Sequence, residues 1–362
     1  MGAINAAPSR RNSRSPTTTP SPSTLCGNVI PRFAMPDSSA AVLFRKLSRA
    51  AWLLMLAGGP LRAAPDDSLA TRRPVSFSSG GYRLHGELVA PRTAAGRRPA
   101  VVFLVGSGTS SYRTNYRSFL RDNLETPLLA QGVALLYFDK PGLGQSEGRW
   151  AGATFADRAA DARAALAFLA AQPGIDSTRL AVVGHSQGGW IAQMMAARYP
   201  AQVRCAVSLA GASYPVRRQL LGDYYNQNRC QGLDSARAWR RAGHQTNRAF
   251  AVAWLLPVRE QWAHLRRIRR FDPAADLRRV QRPLLLLVGE HDELVDPTWT
   301  QARLHEVLGP KLPPNVRYQT IAGADHSFQL APRCHAGSRK QFAYATAFQQ
   351  ALSGFLREEL GR

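Results

Sequence analysis

Residues 180–191 read Leu-Ala-Val-Val-Gly-His-Ser-Gln-Gly-Gly-Trp-Ile, an apolar run, a serine between glycines and a second apolar run. The first run is typical of a buried strand, and the apolar residues of Trp190–Arg198 recur at helical spacing. The pattern is therefore Gly-x-Ser-x-Gly at a junction between a strand and a helix. A sharp turn there strains the backbone of Ser186, requires small neighbours and projects the hydroxyl above the sheet edge. We predict that Ser186 is a nucleophile.

Similar apolar segments on both sides of this junction predict an α/β fold. A β-hairpin is expected over Val75–Phe77 and Tyr82–Val89, and strands over Ala100–Val105, Val133–Phe138, Leu180–Val183, Val203–Leu209, Leu284–Val288 and Val316–Ile321. Helices are expected at Phe155–Ala171, Trp190–Arg198 and Gln341–Leu360. Continuous apolar strands that alternate with helices indicate a mostly parallel sheet covered on both faces. We expect one catalytic domain over residues 71–362, with a helical lid insertion over about 212–282.

A serine hydroxyl is a weak nucleophile and needs a general base. Of the eight histidines, His326 comes directly after the strand Val316–Ile321, at the sheet edge that also carries Ser186. Asp292 follows Leu284–Val288 and is the acid expected to orient the imidazole, with Asp296 and Glu290 as alternatives. The prediction is a Ser186, Asp292, His326 triad.

We predict no role in this chemistry for the other histidines. His185 is expected to point away from it. His85, His244, His264, His305 and His335 are expected to be solvated residues of the hairpin, helices or loops.

An oxyanion hole needs two preorganised N–H donors. We expect these to be the backbone N–H groups of Gln187, directly after the nucleophile, and of Ser107, between Gly106 and Gly108. Residues 139–146, Asp-Lys-Pro-Gly-Leu-Gly-Gln-Ser, lack the Gly-Lys-Ser/Thr ending of a nucleotide loop and are interpreted as a structural turn. The absence of a His-Glu-x-x-His motif or a Cys/His cluster predicts no metal site.

Five segments together resemble the bacterial esterase and serine-aminopeptidase-like group of the α/β-hydrolase superfamily. They are residues 105–108, 137–146, 184–188, 287–292 and 323–326. The resemblance implies an eight-stranded sheet, the chain order Ser, Asp, His for the triad, hydrolysis of carboxyl esters and no cofactor. One position departs from the pattern, because relatives carry His before Gly106 where this chain has Val105. What supports the oxyanion loop is therefore open.

A small-molecule ester is the expected substrate. The basic character of the lid favours neutral or acidic esters over amine-bearing peptides. Three alternatives stay open, namely an acyltransferase, a peptidase with the same triad, and a catalytically silent binding protein with this fold.

The net charge of +23 invites a nucleic-acid partner, but the chain is rich in Arg throughout and lacks any nucleic-acid-binding motif. We therefore predict no nucleic-acid partner. The oligomeric state is open.

Residues 1–70 differ in composition and are predicted to be a disordered extension with a signal peptide, whose apolar region spans about 50–61. Arg45, Lys46 and Arg49 precede this region, which is shorter than the roughly 20 residues of a membrane span. We expect export to the bacterial periplasm or medium and no stable membrane partner. An uncleaved interfacial anchor is the alternative, and translation starts at Met1 or Met35.

The four cysteines divide by position. Cys26 lies upstream of the apolar region, and Cys205 is predicted to be buried in a strand. Cys230 and Cys334 form a hypothetical disulfide if the protein is exported.

Overall fold

The computed structural model describes residues 70–92, 96–335 and 341–361. The strands are β1 (Ala70–Ser79), β2 (Tyr82–Pro91), β3 (Arg98–Leu104), β4 (Ala134–Phe138), β5 (Ile175–His185), β6 (Cys205–Leu209), β7 (Leu284–Gly289) and β8 (Val316–Ile321). The helices are α1 (Arg117–Leu120), α2 (Thr126–Ala130), α3 (Phe155–Ala170), α4 (Gln187–Arg198), α5 (Val216–Cys230), α6 (Ser235–Leu255), α7 (Glu260–Ile268), α8 (Ala274–Leu277), α9 (Pro297–Leu308) and α10 (Thr346–Gly361). A π turn, Arg121–Glu125, joins α1 to α2, and a 3-10 turn, Trp150–Gly152, precedes α3.

The strands form one sheet in the order β1-β2-β4-β3-β5-β6-β7-β8. Strand β2 runs antiparallel to both of its neighbours, and every other neighbouring pair from β4 to β8 is parallel. The predicted eight-stranded, mostly parallel sheet is confirmed. Since parallel strands end at one edge, the loops after β3, β5, β7 and β8 lie along the same edge.

Alternate side chains of each central strand pack into two separate cores. In β3, Val102 and Leu104 belong to the core that includes residues of α3, α4 and α9. Val101 and Phe103 belong to the core on the opposite face, which includes residues of α1 and α10. The strands are apolar without interruption because both faces of the sheet are covered.

Several predicted boundaries were wrong. The C-terminal helix begins at Thr346 rather than Gln341. Tyr344 pairs with Gln329 in an isolated bridge, and the Ala345 N–H donates to the Phe328 carbonyl, so this stretch adds to the loop after β8 instead. Strand β5 begins at Ile175, well before the predicted Leu180, and the helix after Ser186 begins at Gln187.

Four helices, α5 to α8, stand between β6 and β7, and we call them the helical insertion. A disulfide joins Cys230, at the end of α5, to Cys334 in the loop after β8, with 5.1 Å between the two Cα atoms. Cys205 is buried in β6 as a free thiol. None of the helices among the described residues is long and apolar enough to span a membrane. The predicted extension and signal peptide lie in residues 1–69, outside the described residues.

Candidate active site

Ser186 occupies the turn between β5 and α4 with a φ of 56°. Its N–H donates to the Leu209 carbonyl over 2.8 Å, which ties the turn to the neighbouring strand β6. A Cβ atom on Gly184 would lie 1.9 Å from the carbonyl oxygen of Gly188, so only glycine fits there. The glycine pattern therefore allows the close turn that holds a non-glycine residue in the left-handed region.

His326 and Asp292 are buried together at the same edge of the sheet. The Nδ1 atom of His326 lies 2.9 and 2.8 Å from the two carboxylate oxygens of Asp292. Asp292 Oδ1 also accepts the N–H groups of Leu294 and Val295, which fixes the carboxylate in place. Because a carboxylate accepts, Nδ1 of His326 donates, and Nε2 of the neutral ring is left as the basic nitrogen.

The alternative acids, Asp296 and Glu290, make other hydrogen bonds near the same loop. Asp296 caps α9 by accepting the N–H of Trp299 over 3.0 Å. Glu290 accepts the N–H of Gly323 over 2.8 Å. Of the three predicted candidates, the structure brings Asp292 to His326.

His185, the residue before Ser186, also contacts His326. Its Nε2–H donates to the main-chain carbonyl of His326 over 2.8 Å, and the two ring centroids are 4.9 Å apart. The expectation that His185 points away from the site was wrong. The His185 side chain is buried and meets the loop after β8. Its hydrogen bond fixes the backbone of His326, whose ring it contacts edge to face.

The hydroxyl of Tyr116 supports the loop Gly106–Gly108. The position before this loop is the one at which relatives have a histidine and this chain has Val105. The hydroxyl oxygen accepts the Gly106 N–H over 3.0 Å. It lies 2.8 Å from Nδ1 of His185, to which it donates because Nε2 of that ring carries the proton. A Cβ on Gly106 would lie 3.3 Å from the Cβ of Ser186. The loop thus contacts the nucleophile turn directly.

Lys140 holds the same loop from the other side. Its ammonium group donates to the carbonyl of Gly106 over 2.8 Å and to the carbonyl of Gly108, and the side chain is 1 % exposed. Burial, together with the nearby charge of Arg158, lowers the pKa of Lys140 well below its usual range. In a planar trans peptide the Ser107 N–H points opposite to the Gly106 carbonyl. Lys140 therefore sets the direction of the predicted oxyanion donor.

Comparison with known proteins decides the family at this point. The model of the alpha/beta hydrolase family matches residues 101–333, more than half of the chain. The chain belongs to the α/β-hydrolase family. The uncharacterized protein Rv2307c of Mycobacterium tuberculosis is 32% identical over 292 residues, which cover 80% of this hydrolase and 84% of the relative.

Solved structures resemble the hydrolase in fold. The esterase Pf2001 of Pyrococcus furiosus superposes with a TM-score of 0.55 at 18% identity, over 83% of this chain and 96% of that one. The proline iminopeptidase of Mycobacterium smegmatis gives a TM-score of 0.54 at 17% identity, over 80% and 99% of the two chains. At these identities the likeness shows the shared fold and not a shared substrate.

The helical insertion of the hydrolase reaches the nucleophile turn through His264. The ring of this residue in α7 lies 3.2 Å from the side-chain nitrogen of Gln187 and 5.3 Å, between centroids, from Trp150. Burial and the charges of Arg158 and Lys140 lower the pKa of His264 to about 3, so the ring is neutral. The expectation that His264 is solvated was wrong, because α7 packs this face of the helix against the turn.

Asp223 is a buried carboxyl group in α5 of the helical insertion. Burial raises its pKa to about 7. Gln227 donates to it over 3.1 Å. The negative charges of Asp292 and Glu293 raise this pKa further. Asp223 is therefore a titratable group within electrostatic range of Asp292.

Sequence reasoning missed three residues that shape this site, namely Tyr116, Lys140 and His264. The only sequence feature that marked Lys140 was its place in a turn-rich loop after a strand. That feature does not tell a structural turn from a loop whose side chain binds the backbone of another loop. Tyr116 and His264 come to the site from α1's N-terminal flank and from the helical insertion, and no local pattern marks them. Among the described residues, the cluster with metal-ligand spacing is Cys230, Glu293 and Cys334, whose two sulfur atoms form the disulfide.

Proposed function

We propose that this hydrolase cleaves carboxyl esters of small molecules through an acyl-enzyme on Ser186. The observation that carries the proposal is the buried pair of His326 and Asp292, joined at 2.8 and 2.9 Å beside the strained turn of Ser186. An imidazole held by a carboxylate in this way supports the proposal, because such a pair can activate a serine hydroxyl at the same sheet edge for acyl transfer.

In the proposed reaction, Nε2 of His326 takes the proton of the Ser186 hydroxyl as the oxygen attacks the ester carbonyl. Asp292 stabilises the imidazolium that results. The N–H groups of Gln187 and Ser107 bind the oxyanion of the tetrahedral intermediate. His326 then gives its proton to the departing alcohol, which leaves an acyl-enzyme. Nε2 of His326 next takes a proton from water as the water attacks this ester, and it returns that proton to the Ser186 oxygen as the carboxylic acid departs.

A fluorophosphonate probe tests the nucleophile. We expect covalent labelling of the wild type at Ser186 and no labelling of Ser186→Ala. A panel of p-nitrophenyl esters with graded acyl length then measures hydrolysis and acyl preference. Folded wild-type protein that neither reacts with the probe nor cleaves any ester would overturn the proposal and favour a silent binding protein.

Peptidase action on an amine-bearing substrate is a second candidate. Asp223 favours it, because a carboxylate in the helical insertion near the triad would pair with a substrate ammonium. Burial opposes it, since a pKa of about 7 leaves much of this group neutral at neutral pH. Aminoacyl p-nitroanilides provide the test: cleavage that depends on a free amine and is lost in Asp223→Asn supports the peptidase.

An acyltransferase with the same triad differs only in what attacks the acyl-enzyme. Product analysis in the presence of an added alcohol distinguishes the two. A free acid as the main product supports hydrolysis, and a new ester as the main product supports transfer.

A further inference from the structure

The connection between α6 and α7 exposes four large apolar side chains within five residues of sequence. Trp254 is 53 % exposed, Leu255 71 %, Leu256 62 % and Val258 82 %. We call these four residues the apolar tip. Clustered exposed apolar side chains on a soluble protein mark a surface that contacts a partner or a membrane.

Arginines lie beside the apolar tip. Residues 254–270 contain five arginines and one acidic residue, Glu260. The guanidinium groups of Arg266 and Arg269 lie 5.2 and 4.8 Å from the ring centroid of Trp254. Glu260 pairs with Arg149 and accepts the indole N–H of Trp150. The positive charge around the tip is therefore not neutralised by the acidic residue of this segment.

We propose that the apolar tip docks on the surface of an anionic phospholipid bilayer. Indole and leucine side chains partition into the boundary between headgroups and acyl chains. Arginine stems cover apolar surface while their guanidinium groups bind phosphates and anionic headgroups. The contact is peripheral and reversible.

A second copy of the chain fits this surface less well. Two copies that met through the same face would bring arginine-rich surfaces together, and like charges across an interface oppose association. An anionic bilayer offers negative charge to the arginines and an apolar phase to the side chains of the apolar tip.

Docking through the apolar tip has a consequence for the catalytic edge. Helix α7 runs from Glu260, beside the tip, to Ile268 and carries His264 against Gln187. At 1.5 Å rise per residue, Glu260 and His264 are roughly 6 Å apart along the axis of α7. The edge that carries Ser186 is therefore near the bilayer when the tip is docked. The docking itself does not depend on the proposed esterase activity.

Cosedimentation of the full-length chain with vesicles tests the inference. One set of vesicles contains phosphatidylcholine with phosphatidylglycerol, and the other contains phosphatidylcholine alone. We expect binding to the anionic set, weakening as salt is raised. The Leu255→Ser/Leu256→Ser variant and the Arg266→Glu/Arg269→Glu variant should each lower the partition coefficient about tenfold.

Matched controls separate docking from adsorption of a basic protein. Arg97→Glu changes an exposed arginine next to β3, at the opposite edge of the sheet. Tyr82→Ser changes a 45 % exposed side chain at the start of β2. Both should bind almost as the wild type does, and circular dichroism verifies that every variant is folded. In brominated lipid, quenching of tryptophan fluorescence should diminish in Trp254→Phe.

Several outcomes would overturn the inference. Equal binding of the leucine variant and the wild type would show general electrostatic adsorption. Equal binding to both vesicle sets, or none to either, would exclude an anionic bilayer. A dimer in light scattering that the same substitutions abolish, without vesicle binding, would assign the tip to a second copy of the chain.

Discussion

The ammonium group of Lys140 donates a hydrogen bond of 2.8 Å to the main-chain carbonyl of Gly106 from a position that is almost fully buried. The carbonyl and the Ser107 N–H belong to one planar peptide, so a fixed carbonyl fixes the N–H. A buried charge is costly unless its hydrogen bonds are satisfied. We infer that Lys140 serves to impose a direction on that peptide.

We predict that Lys140→Met lowers kcat for p-nitrophenyl esters by about 10- to 100-fold, because a mispositioned oxyanion donor acts on the transition state. KM should change little, and thermal unfolding should show a folded protein, since the apolar side chain removes a buried charge. Lys311→Met, at an exposed lysine, is the matched control and should leave kcat unchanged. An unchanged kcat in Lys140→Met would show that the loop holds its shape without the clamp.

Asp292→Asn tests the triad without removing volume. The amide presents a donor to His326, disfavours the productive tautomer and should lower kcat by about 10⁴-fold. Asp296→Asn is the control, because asparagine can replace aspartate as the cap of α9 and should retain both stability and activity. Steady-state kinetics with one soluble ester compare the two. Loss of activity in the control alone would move the acid to Asp296.

His264→Gln should change how stability depends on pH. The pKa of His264 is about 3 in the folded protein against an ordinary 6.5, so as pH falls below 6.5 the unfolded chain takes up a proton that the folded chain refuses. Wild-type stability therefore falls across this window by up to about 1.4 kcal/mol per pH unit from this group. Glutamine does not titrate, so the variant should lose less stability between pH 7 and pH 5, by up to about 2 kcal/mol.

Urea unfolding at the two pH values measures the difference. His244→Gln, at an exposed histidine of α6, should behave like the wild type. An equal loss of unfolding free energy between pH 7 and pH 5 in the wild type and in His264→Gln would contradict this prediction. It would mean that the ring takes up its proton in the folded protein as readily as in the unfolded chain.

The Cys230–Cys334 disulfide closes a loop with a sequence separation of 104 and joins α5 to the loop that follows His326. The Cys230→Ser/Cys334→Ser variant should lose about 2–5 kcal/mol of unfolding free energy, because the unfolded chain regains the freedom of that loop. Reductant should weaken the wild type by a similar amount and leave the variant unchanged. The titre of thiols in denatured protein should rise by two on reduction.

An equal titre with and without reductant would contradict the bond.

Structural disulfides such as Cys230–Cys334 persist in oxidising compartments, and this bond therefore supports our proposal that the protein is exported.

The sheet and the pairing of His326 with Asp292 could be predicted because their signals are local. The apolar run before Ser186 and the glycines around it determine a strand and a sharp turn together. Asp292 and His326 each follow a strand of their own. The boundary of α10 was mistaken because the pairing of Tyr344 with Gln329 competes with helix formation, and that pairing depends on a distant loop.

Ser186 and its surroundings illustrate the division. The sequence by itself determined that Ser186 stands in a glycine-flanked turn, since steric exclusion between Gly184 and Gly188 acts over a few residues. Only the tertiary structure decided what surrounds it: Lys140 and Tyr116 on Gly106, His185 on the backbone of His326, and His264 against Gln187. These contacts join residues far apart in the chain, and their hydrogen bonds exist because burial leaves each polar group with no water as an alternative partner.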